Sequence, residues 1–207
     1  GVETFGRVEL SNRFLQAGFQ RIELALPLPD YKLPSSVVLP AASAENSSFN
    51  GSVLAAQTAS RDAQTSSEYL NFSLECVWPV IAQNGLFPDM ANSFLFAVSP
   101  AANSDEPIFD NQTLAIHYSS ERQAAFCKFA EFKQMGEVVS VLHQRLCPDA
   151  IAVGSEDEYQ HVLPAEAFSS GQAMSAEFVR IVQTPGWTAK QIARFLSTYL
   201  NIVRQSA

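Results

Sequence analysis

Five short segments in the first 119 residues either alternate apolar with polar residues or form continuous apolar runs. These segments cover residues 19–26, 36–39, 70–78, 93–98 and 113–118. Side chains of a strand point alternately to opposite faces, so a two-residue rhythm predicts strands with one buried face. The continuous run at 93–98 predicts a strand that is covered on both faces. The pattern as a whole predicts an antiparallel sheet in this part of the chain.

The strand predictions differ in strength. The alternation is clearest from Leu70 to Trp78, where Pro79 is expected to end the strand. It is weakest near the start of the chain, where Val8 and Leu10 could form a strand that pairs with residues 19–26.

Residues 41–67 interrupt the predicted strands. Ala, Ser, Thr, Asn and Gln dominate this stretch, and its large apolar residues are Phe49, Val53 and Leu54. So few apolar anchors predict a polar surface excursion rather than a core element. A loop of this length is usually either functional or mobile.

Beyond residue 119 the apolar residues recur at intervals of three and four, which predicts helices. Ser120 and Gln123 have the spacing of a capping box for a helix over residues 120–134, and Gly136 is expected to end it. Residues 137–147 predict a second helix, with a strand as the alternative because β-branched residues are frequent there. A short helix is predicted over residues 175–182.

The last helix is predicted from Thr188 onwards, because this residue can cap it. Its apolar stripe consists of Ile192, Phe195, Leu196, Tyr199, Leu200 and Val203. Strands followed by helices, without alternation of the two, predict an α+β fold. We expect a single domain over residues 1–207, in which C-terminal helices cover an antiparallel sheet of the N-terminal half.

The net charge of the chain reduces the number of partner classes that we expect. The chain has 13 Lys and Arg against 21 Asp and Glu, a net charge of −8. Nucleic acids and anionic bilayers both attract cationic surfaces, so neither is predicted as a partner. No segment approaches the roughly 20 apolar residues of a membrane-spanning helix. The chain begins at Gly1 without a signal peptide, which leaves a cytoplasmic protein and one that has lost a leader as alternatives.

The three cysteines, Cys76, Cys127 and Cys147, cannot form a complete disulfide framework. If the helices at 120–134 and 137–147 fold back at Gly136, Cys127 and Cys147 come close together. Three interpretations follow: buried thiols, one Cys127–Cys147 disulfide, or a Cys/His cluster that includes His143, four residues before Cys147. Sequons occur at Asn46, Asn50, Asn71 and Asn111, and composition explains them as well as glycosylation does.

The sequence lacks the standard signatures of nucleotide binding, of hydrolases with a nucleophile elbow, of zincins and of EF-hands, so no cofactor or metal site is predicted. His117 lies in a predicted strand and would be a general base if Asp110 or Glu121 lay near it. His161 follows the acidic run at 155–158, which is typical of a solvent-facing loop.

The sequence therefore leaves three hypotheses about the function of the protein. The preferred one is a non-enzymatic protein-interaction or binding module whose partner is another protein, with a homo-oligomer as a further option. Trp187, just before the last helix, is either a hydrophobic staple or an anchor of that interface. The alternatives are an enzyme of the hydrolase or transferase type that uses His117 or the His143/Cys147 pair, and a secreted or surface protein with one disulfide.

Overall fold

The structure is a computed structural model that describes residues 4–44, 46, 48–58, 73–100, 107–150, 163–169, 171 and 174–206. Within these ranges the chain forms seven strands and six α-helices. The strands are β1 (Arg21–Leu28), β2 (Ser36–Val38), β3 (Leu95–Ser99), β4 (Thr113–Ser119), β5 (Lys128–Met135), β6 (Val138–Arg145) and β7 (Glu166–Ala167). The helices are α1 (Arg7–Gln16), α2 (Pro40–Ala44), α3 (Ser52–Thr58), α4 (Leu74–Gln83), α5 (Met174–Gln183) and α6 (Ala189–Ser206).

The seven strands form one sheet in the order β3-β1-β2-β4-β5-β6-β7, and every pairing is antiparallel. The predicted α+β class is confirmed. The sheet extends further along the chain than predicted, because β5, β6 and β7 all follow residue 119. A bulge in β4 between Thr113 and Ala115 shifts the register against β5.

The hydrophobic core lies on one face of this sheet. Leu26, Val38 and Ala115 occupy neighbouring positions across three strands, and none of them has exposed surface. Helices α2 and α3 contact the sheet directly, and α4 packs against α3. The two C-terminal helices, α5 and α6, contact each other, and α5 contacts α4.

The prediction of a polar surface excursion at residues 41–67 is wrong for the described residues. They contain most of α2 and all of α3, and Phe49 and Leu54 are buried in the core cluster. Short Ala and Ser side chains allow these helices to approach the sheet closely, so two large apolar residues are enough to anchor the segment. Residues 59–67 lie outside the described ranges.

The strand predicted at residues 70–78 is also wrong where the structure describes it. Leu74–Gln83 is helix α4, and Pro79 lies inside this helix instead of ending a strand. Trp78 and Ile81 pack against the core cluster. Residues 70–72 lie outside the described ranges.

The two helices predicted on either side of Gly136 are instead the strands of a hairpin. Met135 pairs with Val138, and Gly136 occupies the first position of the two-residue loop with a φ of +64°. A positive φ there is typical of the tight turns that join antiparallel strands. The alternative of a strand for residues 137–147 is confirmed by β6. The predicted capping box at Ser120 does not form, because a short 3₁₀ turn, Ala124–Phe126, takes its place.

Two further predictions are corrected near the other end of the sheet. Val8 and Leu10 lie in helix α1 rather than in a strand. Strand β3, predicted to be covered on both faces, is the outermost strand of the sheet, and Leu95 is 51% exposed.

The prediction of the last helix is confirmed in detail. The Gln191 backbone N–H donates to the hydroxyl of Thr188, and the Thr188 backbone N–H donates to the Gln191 side chain over 2.8 Å. These reciprocal hydrogen bonds form a capping box. The helix predicted at 175–182 is confirmed by α5, and Gly186, with a φ of +79°, lies in the turn between the two helices.

Candidate functional site

Helix α6 carries an apolar face that the described part of the chain does not cover. This face, called the α6 face below, consists of the partly exposed residues Ile192, Phe195, Leu196, Tyr199, Leu200, Ile202 and Val203. Their spacing of one, three and four residues places them along one side of the helix. None of the described α6 side chains is buried.

The α6 face continues onto α5, and a further exposed aromatic residue lies in the turn between the helices. The rings of Phe178 in α5 and Phe195 in α6 lie 5.4 Å apart. Phe178 remains 39% exposed, and Trp187 in the turn is 48% exposed. In contrast, Ala176 and Ile181 of α5 are buried. Helix α5 therefore attaches to the rest of the protein, while α6 presents its apolar residues outwards.

The charge of α6 is opposite to that of the whole chain. The helix contains Lys190, Arg194 and Arg204 and no acidic residue. The other residues then hold 10 of the 13 basic and all 21 acidic residues, a net charge of −11. The helix is therefore amphipathic and cationic on an anionic protein.

The two described histidines lie in one row across the sheet. Ser36, His117, Ala130 and His143 are directly opposite one another in β2, β4, β5 and β6. The Ser36 hydroxyl and Nδ1 of His117 are 2.8 Å apart. Ser36 has no exposed surface, so in this conformation a substrate could not reach its hydroxyl.

The other residues predicted around these histidines occupy different places. Asp110 bonds to Lys133 and Thr113, and Glu121 is exposed just beyond β4. The helical face predicted to join His143 and Cys147 does not exist, because His143 lies in strand β6 and Cys147 lies beyond its end.

The three cysteines are free thiols in this structure. Cys127 is buried, and its thiol lies within hydrogen-bonding distance of the Ser120 and Arg122 carbonyls. Cys147 is exposed and Cys76 is half-buried. The hairpin does bring the chain around Cys127 close to Leu146, whose N–H donates to the Cys127 carbonyl. The predicted disulfide stays a prediction that a thiol titration would test.

Most ion pairs of the described residues lie at the protein surface. Lys133 donates to Asp110 over 2.5 Å, and this contact, followed by the Gln112 backbone N–H, lowers the pKa of Asp110 below its ordinary value. The hydrogen bond from Arg7 lowers the pKa of Asp89 in the same way. Among the described residues, no group of three or more His, Cys, Asp or Glu could hold a metal ion.

Two clefts were not predicted from the sequence. The first, called the amide cleft, has a volume of about 460 Å³ and is lined by Asn46, Asn111, Gln134 and Glu137, with Leu114 beneath them. Asn46 Nδ2 donates to the Gln134 side chain, and Gln134 Nε2 donates to the Gly136 carbonyl. Two of the polar side chains of this cleft, Asn46 and Gln134, are thus bonded to each other.

The second cleft, called the phenyl pocket, has a volume of about 280 Å³. Its apolar walls are Phe49, Val53, Leu54, Phe132 and Phe168. The exposed residues Asn50, Gln57 and Ser169 also line it. No local pattern in the sequence predicts this pocket, because its three phenylalanines are far apart along the chain. The only available signal was the unusual number of Phe, 15 in 207 residues.

The remaining predicted features are distributed as follows. Asn50 and Asn111 are exposed, whereas Asn46 is half-buried in the amide cleft. Asn71, His161 and the acidic run at 155–158 lie outside the described ranges. No helix in the described part of the chain is long and apolar enough to cross a bilayer.

Comparisons with protein-family models, with curated proteins and with solved structures found no match to this chain.

Proposed function

We propose that this chain is a non-enzymatic protein-interaction module and that α6 is the element that binds the partner. The observation that carries the proposal is the exposed α6 face, which the contact between Phe195 and Phe178 extends onto α5. An amphipathic helix of this kind can pack its apolar stripe against the apolar surface of a partner. Aromatic residues such as Trp187 and Tyr199 are frequent anchors of such interfaces.

The positive charge of α6 favours a partner with a negatively charged surface. Arg204 follows Leu200 by four residues and lies beside the edge of the α6 face, whereas Lys190 and Arg194 lie on the opposite side of the helix and add to its positive charge. A complementary partner therefore presents an apolar stripe bordered by carboxylates, as an acidic amphipathic helix does. Because α6 has no acidic residue, no carboxylate on the helix repels the carboxylates of this partner.

The same charges disfavour two other occupants. Two copies of α6 packed face to face would pair two helices that each carry a net charge of +3 and no carboxylate. An anionic bilayer would attract α6 but repel the rest of the chain, whose net charge is −11. Of these three occupants, an acidic protein surface is the one that both the apolar face and the charges of the protein favour.

Two peptides and two variants test this proposal. The probes are an amphipathic helical peptide with Leu on one face and Glu on the other, and the same peptide with Lys at every Glu position. The variants are Leu200→Glu in the α6 face and Asn201→Glu at the next position, which points away from it. Both variants add one carboxylate to the same exposed turn, so a difference between them reports the apolar contact.

Binding is measured by fluorescence anisotropy of the labelled peptides, with and without added salt. We expect the Glu peptide to bind about tenfold more tightly than the Lys peptide, and its affinity to fall as salt screens the charges. Leu200→Glu should weaken binding about tenfold, and Asn201→Glu by less than about threefold. Equal effects of the two variants, no binding of either peptide, or binding only to phosphatidylserine vesicles would contradict the proposal. So would a concentration-dependent dimer that Leu200→Glu abolishes.

A further inference from the structure

The phenyl pocket combines three aromatic side chains from three distant parts of the chain. The ring centroids of Phe49, Phe132 and Phe168 are 5.3 to 5.6 Å apart, at tilted or edge-to-face angles. Phe49 is 95% buried and belongs to the core cluster, so the wall that it forms is fixed by the fold. The half-buried rings of Phe132 and Phe168 offer the accessible aromatic surface, on which a further flat ring can stack or make an edge-to-face contact.

The polar groups of the pocket are amides and a hydroxyl. Asn50 accepts a hydrogen bond from the Ser52 backbone N–H at its side-chain oxygen over 3.0 Å, which leaves its amino group as the donor that it can offer a ligand. Gln57 supplies a second carboxamide, and Ser169 supplies a hydroxyl. A ligand with one hydrogen-bonding group can therefore be oriented at the exposed side of the pocket.

Charge and size restrict the ligand further. None of the described residues that line the pocket is charged, and an ion without a counter-charge loses its hydration on entering an apolar site. The volume of about 280 Å³ is at the lower limit for small-molecule sites, which span roughly 300–1,000 Å³. This volume favours one ring system over a nucleotide or a long acyl chain.

From these observations we infer that the phenyl pocket binds a small uncharged molecule that has a flat apolar ring and one hydrogen-bonding group. This site does not depend on the binding of a protein at the α6 face. Its lining comes from the segment before α3, from α3, from β5 and from the residues after β7, and it contains no residue of α5 or α6.

The test uses three probes of similar size: indole, which is flat and uncharged, benzoate, which is flat and anionic, and cyclohexanol, which is uncharged but not flat. Titrations of the whole chain are followed by ligand-observed NMR. We expect saturable binding of indole, and affinities at least about tenfold lower for benzoate and cyclohexanol.

Two matched variants locate the site. Val53→Phe fills the pocket with a further ring, and Val80→Phe makes the same change on the outward side of α4, where Val80 is 54% exposed. Indole affinity should fall at least about tenfold in the first variant and change by less than about twofold in the second. Nuclear Overhauser contacts between indole and the methyl groups of Val53 and Leu54 provide a measurement that needs no variant.

Three outcomes would overturn the inference. The first is the absence of saturable indole binding to the wild-type chain. The second is indole binding that a folded Val53→Phe variant retains, or that shows no contacts to the methyl groups of Val53 and Leu54. The third is equal affinity for the three probes, since this would mean that neither flatness nor lack of charge is recognised.

Discussion

Gly51 lies where the chain enters α3 against β2, and the structure leaves no space there for a side chain. A Cβ built on Gly51 would lie 2.7 Å from Cγ1 of Val38 and 3.2 Å from Cε1 of Phe87. Val38 has no exposed surface and Phe87 is 9% exposed, so neither side chain can move into solvent. We expect that Gly51→Ala destabilises the protein.

The size of the effect follows from two opposing contributions. Carbon atoms prefer separations of about 3.5–4.0 Å, so the contact with Val38 is too short by about 1 Å. An extra methyl group in a packed core typically costs about 1–3 kcal/mol. The φ of Gly51 is outside the left-handed region, so the lower entropy of the unfolded alanine chain returns about 0.4–1 kcal/mol. The expected net loss in the free energy of unfolding is about 1–2 kcal/mol.

Urea unfolding followed by circular dichroism measures this loss, and the melting temperature should fall by roughly 3–6 °C for a chain of this size. Gly171→Ala is the control, because its added Cβ would meet nothing within 4 Å, and its effect should stay within about 0.5 kcal/mol. Val38→Ala combined with Gly51→Ala should show favourable coupling, since the smaller residue removes the overlap. A Gly51→Ala protein as stable as the wild type would refute the steric argument.

Three further changes test other local features by urea unfolding. Ser52→Ala should leave stability unchanged or raise it by up to about 1 kcal/mol, because the buried Ser52 hydroxyl has no hydrogen-bond partner among the described residues; a clear loss would reveal a partner. Gly136→Ala should cost about 1–2 kcal/mol, because φ is +64° in the hairpin loop, and no loss would mean that the loop adopts another conformation. Asp110→Asn should cost less than about 1 kcal/mol at pH 7, since the ion pair with Lys133 is partly exposed to solvent, which weakens it. Because the folded pKa of Asp110 is lowered, this contribution is present above the ordinary value of 3.8 and is lost as the pH falls below it; a difference from wild type that persists at lower pH would contradict the assignment.

Where the sequence predicted an element correctly, a strong rhythm coincided with a clear boundary. Helix α6 begins directly after the Thr188 cap, and its predicted stripe of six apolar residues begins at Ile192. The sequence also predicts strand β1, although this strand continues through Pro27, which is expected to end it, and stops before Pro29. A local signal of this kind is sufficient because it agrees with the burial that the fold later imposes.

Helix α4 shows why a strong rhythm can still mislead. Leu74, Cys76 and Trp78 alternate with polar or smaller residues, yet Leu74, Val77, Trp78 and Ile81 also have helical spacing. Both patterns fit the same residues. The contacts of Trp78 and Ile81 with the core cluster are long-range, and this tertiary packing favours the helix although the local sequence allows either element.

The hairpin of β5 and β6 shows the opposite error. Phe126, Phe129 and Ala130 have helical spacing, but Val138, Val139 and Val141 favour an extended chain, and pairing of the two segments stabilises both as strands. The candidate sites differ in the same respect, namely whether one segment or several distant segments form them. The α6 face and Trp187 could be predicted from one segment, whereas the phenyl pocket depends on contacts among Phe49, Phe132 and Phe168.

The exposed position of α6 affects which amino-acid substitutions this protein can accept. Because none of its described side chains is buried, substitutions at its exposed positions are expected to leave the core on the sheet intact, whereas Phe195 also packs against Phe178 of α5. Folding and recognition would then be separable traits: the outward helix could be redesigned for a new partner, or could diverge between related chains, while the scaffold that carries it keeps its sequence.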